Sequence, residues 1–284
     1  MYIIAWEGER DLTFDLTEIL KIILIGIIEG VTEWLPVSST GHMLLFDAFI
    51  PLDMSENFKE MFFVVIQFGA ILAVAVYFWK RIIPLEYKNK IFELRTDAIM
   101  MWVHVAIACI PAAVLGMLFD DFLETHFGNP LTISIMLIVY GVAFILIETG
   151  KRKPKINSVN EIDYKLALII GCFQALSMIP GTSRSGATII GALLFGVSRM
   201  AAAEFTFYLA VPTMFGAGML KILKFGFDFT RDEVFALLLG MAVAFAVSLA
   251  VIKFLTDFVK RHDFKVFGWY RIALGLIIIA VLLL

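Results

Sequence analysis

The sequence predicts an all-α polytopic membrane protein: six transmembrane helices plus two re-entrant helix hairpins, arranged as an inverted-topology repeat. Three observations carry that expectation. Of 284 residues, 61% are apolar and 17% charged, against roughly 45–50% and about 25% in soluble domains. Six apolar runs are long enough to cross a bilayer, and two shorter ones break at polar turns. With a mean hydropathy of +0.90, this balance excludes a soluble globular domain, a nucleic-acid binder and a disordered chain. The net charge of −3 is too small to imply a polyanionic partner.

The elements follow in chain order. The first 18 residues bring Glu7, Glu9, Arg10, Asp11, Asp15 and Glu18, the wrong sign for the start of a signal peptide, so no cleaved leader is expected. Residues 19–35 are apolar but hold Gly26, Glu29, Gly30 and Glu33, and Pro36 ends them. They read as the first arm of a hairpin over residues 17–50. Spans are expected at residues 61–79, 98–119 and 131–147, completing a first repeat over 17–149. Residues 166–179 end at Pro180, the polar run 181–186 follows, and a short apolar helix occupies 187–197. That is a second hairpin, over 165–197. Spans at 201–220, 234–252 and 266–284 complete a second repeat over 161–284, within one integral membrane domain spanning 1–284. The last span contains Arg271, an unusual residue for such a segment.

Neither broken stretch can cross alone, because non-helical backbone at membrane depth needs protein or a watery cavity around it. Basic residues orient the rest. Lys80, Arg81, Lys88, Lys90 and Arg95 fall in one connection, Lys151, Arg152, Lys153, Lys155 and Lys165 in another, and Lys253, Lys260, Arg261 and Lys265 in a third. Placing these three in the cytoplasm puts both termini outside. The halves also echo each other at an offset of 144: Pro36 with Pro180, Ser39 with Ser183, Glu60 with Glu204, Phe63 with Phe207, Ala73 with Ala217. Three spans per half is an odd number, so the second copy is inverted. Sites in such repeats are usually built where the broken helices meet.

Glu29 and Glu33 are one helical turn apart, about 5–6 Å between Cβ atoms. Two carboxylates at membrane depth need a cation, a proton or water. They suit a hard divalent cation, Mg2+ first with Ca2+ as the alternative, its other positions filled by water and phosphate. Two solvated acids on an interfacial helix is the plainer alternative. Pro36-Val37-Ser38-Ser39-Thr40-Gly41-His42 follows. Serines before a helix are often simple caps, but a hydroxyl nucleophile needs a base, and the imidazole of His42 lies three residues beyond Ser39. In Gly181-Thr182-Ser183-Arg184-Ser185-Gly186, the glycines admit a ligand to the backbone and the helix start favours anions. Arg184 offers a planar fork matched to phosphate oxygens. No closing Gly-Lys-Ser/Thr makes this a Walker A loop. Gln67 and His104 read as hydrogen-bond partners between spans, His126 and His262 as solvated loop residues, and Cys109 and Cys172 as small buried hydrophobes.

From Glu29-Gly30-Val31-Thr32-Glu33-Trp34-Leu35-Pro36 through His42, and from Pro180 to Gly186, the chain resembles the undecaprenyl-pyrophosphate phosphatase, or bacitracin-resistance, family of bacteria. The resemblance runs from about residue 17 to the C-terminus and spares no motif position. It implies hydrolysis of the C55 lipid pyrophosphate to the monophosphate and inorganic phosphate, which recycles the carrier for cell-wall synthesis. It also implies a divalent metal and a site opening to the outer side of the bacterial inner membrane. On this reading Ser38, Thr40, Ser183, Arg184, Ser185 and Thr188 hold the phosphates, and Glu29 and Glu33 hold the metal. Ser39, His42, Glu33 and Arg184 carry the reaction, with Ser39 attacking and His42 as base, or His42 itself as nucleophile. The partners are the lipid substrate and bilayer lipids, with a homodimer left open and no nucleic acid. A polyprenyl-phosphate flippase is the rival reading, because broken helices in an inverted repeat are common in transporters. An ion-coupled exporter using the two glutamates is a third. The Ser39/His42 pair separates them, since a translocator needs no nucleophile.

Overall fold

The computed structural model describes residues 15–88, 91–150 and 153–283. Most of the acidic N-terminal stretch, and Lys90, Lys151 and Arg152 of the basic connections, lie outside the described residues. Six helices are long and apolar enough to span a membrane: Glu56–Tyr77, Thr96–Phe119, Pro130–Thr149, Arg199–Phe225, Arg231–Phe258 and Lys265–Leu282. Each overlaps an expected span, because a run of some 20 apolar residues leaves little else for the backbone to do.

Helix α1 (Leu16–Thr32) starts at Asp15, whose carboxylate accepts from the amide of Glu18 at 2.9 Å. After a turn comes α2 (Ser39–Phe49). The first span is built of α3 (Glu56–Val65) and α4 (Gln67–Tyr77), meeting at Ile66, with the short α5 (Trp79–Ile82) after them. The first basic connection holds an antiparallel hairpin of β1 (Leu85–Lys88) and β2 (Ile91–Leu94), which the sequence reading did not anticipate. Then come α6 (Thr96–Phe127) and α7 (Pro130–Thr149). The second half repeats the order: α8 (Tyr164–Leu176), a turn, α9 (Arg184–Leu194), and the long helices α10 (Arg199–Phe225), α11 (Arg231–Phe258) and α12 (Lys265–Leu282).

The halves pack by exchanging partners. Helix α1 lies on α11, and its counterpart α8 lies on α6; α4 contacts α11 while α10 contacts α6; α2 touches α12 while α9 touches α7. The third helices of the two halves, α7 and α12, pack on each other through small residues. A Cβ added at Gly141 would stand 2.7 Å from the carbonyl oxygen of Gly268, and one at Gly268 would stand 2.7 Å from that of Gly141. Where lipid tails are as apolar as leucine, such close backbone approach is a principal source of helix association. Ion pairs follow the same exchange: Glu60 at the start of the first span meets Lys221 near the end of α10 at 3.8 Å, and Glu204 near the start of α10 meets Arg81 beyond α4 at 2.6 Å.

Several side chains depart from the expectation. Cys172 is exposed, because α8 turns Ala167, Ile170, Gly171 and Gln174 inward and its other face outward, and Cys109 on α6 is half-buried. His126 belongs to the end of α6, stacked on Phe122. Among the described residues no hydrogen bond joins the side chain of Gln67 or His104 to another span; His104 instead lines a cavity of about 250 Å³ with Asp97 and Asn160.

Candidate active site

The two turns come together between α1, α9, α10 and α12. Each is made by a serine forced into the left-handed region, Ser38 at φ 73° and Ser183 at φ 69°, where non-glycine residues are uncommon and strained. Each caps the following helix: Ser38 Oγ accepts from the amide of Gly41 at 3.4 Å, and Ser183 Oγ accepts from that of Gly186 at 3.2 Å. The backbone thus places Ser38, not Ser39, opposite Ser183. Ser38 and Ser183 are 145 positions apart, one more than the 144 that separates Pro36 from Pro180, and Ser39 and Arg184 are each the first residue of the helix that follows.

Glu33 is the junction. Its Oε2 accepts from the hydroxyl of Ser39 at 3.0 Å. Its Oε1 accepts from Arg184 through Nη2 at 2.9 Å and Nε at 3.3 Å. Arg184 spends its remaining arm on the carbonyl of Thr206 at 2.8 Å and lies over the ring of Trp34, 5.8 Å from its centroid. Glu29, one turn earlier, is 1% exposed and its Oε1 has no hydrogen-bond partner. Buried polar atoms are normally satisfied, so this orphaned carboxylate oxygen beside Glu33 is a fit for a cation. Among the described residues no cluster of three His, Cys, Asp or Glu is found. Two carboxylates suffice for Mg2+, which usually keeps water and substrate phosphate as its other ligands.

The other expected residues divide into two groups. Ser185 Oγ donates to the carbonyl of Glu33 at 3.1 Å, and Thr188 Oγ1 bonds Thr206 Oγ1 at 2.8 Å. Both are buried and brace the turns from behind. Ser183 Oγ, 3.2 Å from Ser185 Oγ, is only half-buried, and Thr40 is exposed on the first turn of α2. His42 does not bond Ser39. Its Nδ1 lies 2.7 Å from the carbonyl of Ser38 and its Nε2 lies 2.7 Å from the hydroxyl of Tyr270.

Sequence reasoning missed Tyr270 and the site role of Arg271. The guanidinium of Arg271 is fully buried and donates to the carbonyls of Pro36 (3.2 Å), Gly181 (2.8 Å) and Thr182 (2.8 Å), over the ring of Tyr140 at 5.7 Å. It fastens both turns to α12. The signal was available: an arginine inside a span marks a site until shown otherwise.

The description "Bacitracin resistance protein BacA" belongs to a family model that matches residues 22–277 of this chain. An undecaprenyl-diphosphatase of Enterococcus faecalis is 62% identical over 273 residues, covering 95% of this chain and 99% of its own. One from Desulfitobacterium hafniense is 55% identical over 268 residues (93% and 96%), and one from Streptococcus suis 51% over 269 residues (93% and 96%).

Proposed function

The chain belongs to the bacitracin resistance protein BacA family, and on that premise we propose that it hydrolyses undecaprenyl diphosphate to undecaprenyl phosphate and inorganic phosphate at a bacterial inner membrane. Its similarity to proteins named for that hydrolysis supports the substrate and does not favour the flippase reading. The observation within this chain that carries the reading is Glu33, which holds the hydroxyl of Ser39 on one oxygen and the guanidinium of Arg184 on the other. A nucleophile and a phosphate-binding cation share one carboxylate, which is also the nucleophile's proton acceptor. A translocator needs only the cation.

The chemistry follows from these contacts. Arg184, the half-buried Ser183 and the free amides of the turns bind the diphosphate. Glu29 and Glu33 would hold a divalent cation, Mg2+ first with Ca2+ as the alternative, which when bound would neutralise charge on the phosphate oxygens. Ser39 Oγ attacks the terminal phosphorus, its proton passes to Glu33, and the bridging P–O bond breaks to release undecaprenyl phosphate. In the second step His42 Nε2 takes a proton from water as the water oxygen bonds phosphorus. The serine–phosphate bond breaks, Ser39 recovers its proton from Glu33, and His42 passes its proton to the departing phosphate, which returns both bases to their starting state. His42 as nucleophile is the alternative to Ser39. The strained, braced turns hold these groups in place before the charge develops.

The exchange of packing partners between halves and the paired positive-φ serines support two re-entrant hairpins in an inverted repeat over 17–149 and 161–284. The basic connections are taken as cytoplasmic, and the family resemblance, not the charge pattern, supports a site that opens to the outer side. The family description extends the proposal to bacitracin resistance. The test is phosphate release from undecaprenyl diphosphate by detergent-purified protein, with EDTA and with Mg2+ restored. Release that EDTA stops and Mg2+ rescues is expected; a folded protein that releases no phosphate with Mg2+ present would overturn the function.

A further inference from the structure

Both ring nitrogens of His42 are engaged. The Ser38 carbonyl at 2.7 Å from Nδ1 can only accept, so Nδ1 carries a hydrogen. In neutral imidazole Nε2 then presents its lone pair, and the Tyr270 hydroxyl at 2.7 Å donates to it. The two ring planes are 7° apart, with centroids at 5.6 Å. His42 is therefore held from two sides, by its own turn and by a helix 228 positions away. Its neighbour Arg271 grips the carbonyls of both turns, which fixes the register of α12 against α2. The hydroxyl of Tyr270 is not needed for packing: the residue is 47% exposed, and a phenylalanine would fill the same space.

We propose that Tyr270 is a positioning residue of the phosphatase reaction, fixing the tautomer and aim of His42. The inference rests on the hydrolase reading above. Donation by the phenol keeps Nε2 unprotonated, on the ring edge away from Ser38, ready to take the proton of the attacking water. When that water arrives it donates one hydrogen to the Nε2 lone pair and the other to the displaced phenol oxygen, so Tyr270 goes on aiming water and ring together. The Nδ1–H stays bonded to the Ser38 carbonyl. Outer partners of this kind orient catalytic imidazoles generally, as carboxylates and carbonyls do for metal-bound histidines.

Tyr270→Phe tests this, with Trp269→Phe as the neighbouring control; Trp269 is 62% exposed and takes no part in the site. The chain has four histidines, so in 15N-histidine-labelled protein the His42 signals are assigned by their loss in His42→Gln. The wild type should show a protonated Nδ1 and an unprotonated, hydrogen-bonded Nε2. In Tyr270→Phe the Nε2 signal should move to that of a free lone pair, or both nitrogens should average between tautomers. Its kcat should fall roughly tenfold, a fraction of the 10²–10⁴ that a placed base supplies, with KM within about twofold of wild type. Trp269→Phe should match the wild type in both. Unchanged His42 signals in Tyr270→Phe, or an unchanged kcat, would overturn the proposal. Wild-type turnover in the same preparation tests the hydrolase function separately, so the two can fail independently.

Discussion

Arg184 and Glu33, 151 positions apart, meet at 2.9 Å with side chains only 10% and 8% exposed. The pair joins the first residue of α9 to the end of α1, and so joins the two broken stretches at one carboxylate. Its geometry also changes the expected cost of losing it.

Arg184→Ala should reduce stability as well as activity. Removing one member of a buried pair leaves the other charge uncompensated, at about 3–5 kcal/mol. The burial of both partners, with side chains 10% and 8% exposed, sets that cost. Arg184→Lys keeps the charge and loses the fork, so it should fold and yet lose roughly 10²–10³ in turnover, the scale of one transition-state donor. Thermal unfolding in detergent beside phosphate release separates the two effects.

Glu29→Gln should leave the protein folded and raise the Mg2+ required for half-maximal activity by more than about tenfold, the lower end for disturbing even an outer-shell partner of a metal. The orphaned Oε1 of Glu29 motivates this. A Mg2+ titration of phosphate release after EDTA treatment is the measurement, and an unshifted midpoint would count against Glu29 as a ligand.

How much of this was legible is clearest at α12. The six spans were, because length and hydropathy leave an apolar run few alternatives. Arg271 was visible too, yet as an anomaly in a span. Its three carbonyl partners lie 235, 90 and 89 positions away, and nothing local in the sequence names them. Ser39 and His42, three apart on α2, invite pairing on paper. In the fold their side chains diverge, one to Glu33 and the other to Tyr270. The β1–β2 hairpin was hidden because the basic residues around it read as a solvated connection. That Ser38, and not Ser39, shares the positive φ of Ser183 shows only in the backbone angles.

Arg271→Met should destabilise by several kcal/mol, since three carbonyls lose their donor at about 1–3 kcal/mol each. Arg271→Lys should recover part of that loss, as an ammonium can serve some of the carbonyls but not with a fork. Unfolding midpoints for the two variants, compared with wild type, decide it.

Sidedness is tested by single cysteines in a chain with Cys109 and Cys172 replaced. Lys153→Cys should react only with reagent admitted to the cytoplasm, and Asn129→Cys, in the connection between α6 and α7, with impermeant reagent added outside. Both reacting from one side would contradict the proposed orientation.

In the proposed hydrolytic site, Glu33 gathers a nucleophile and a phosphate-binding cation. Phosphate release from undecaprenyl diphosphate by folded, monodisperse wild type, Ser39→Ala, His42→Ala and Arg184→Lys tests it most directly. The wild type should turn over with Mg2+, and each variant should fall by at least about a hundredfold. Near wild-type turnover in all three variants would contradict the site.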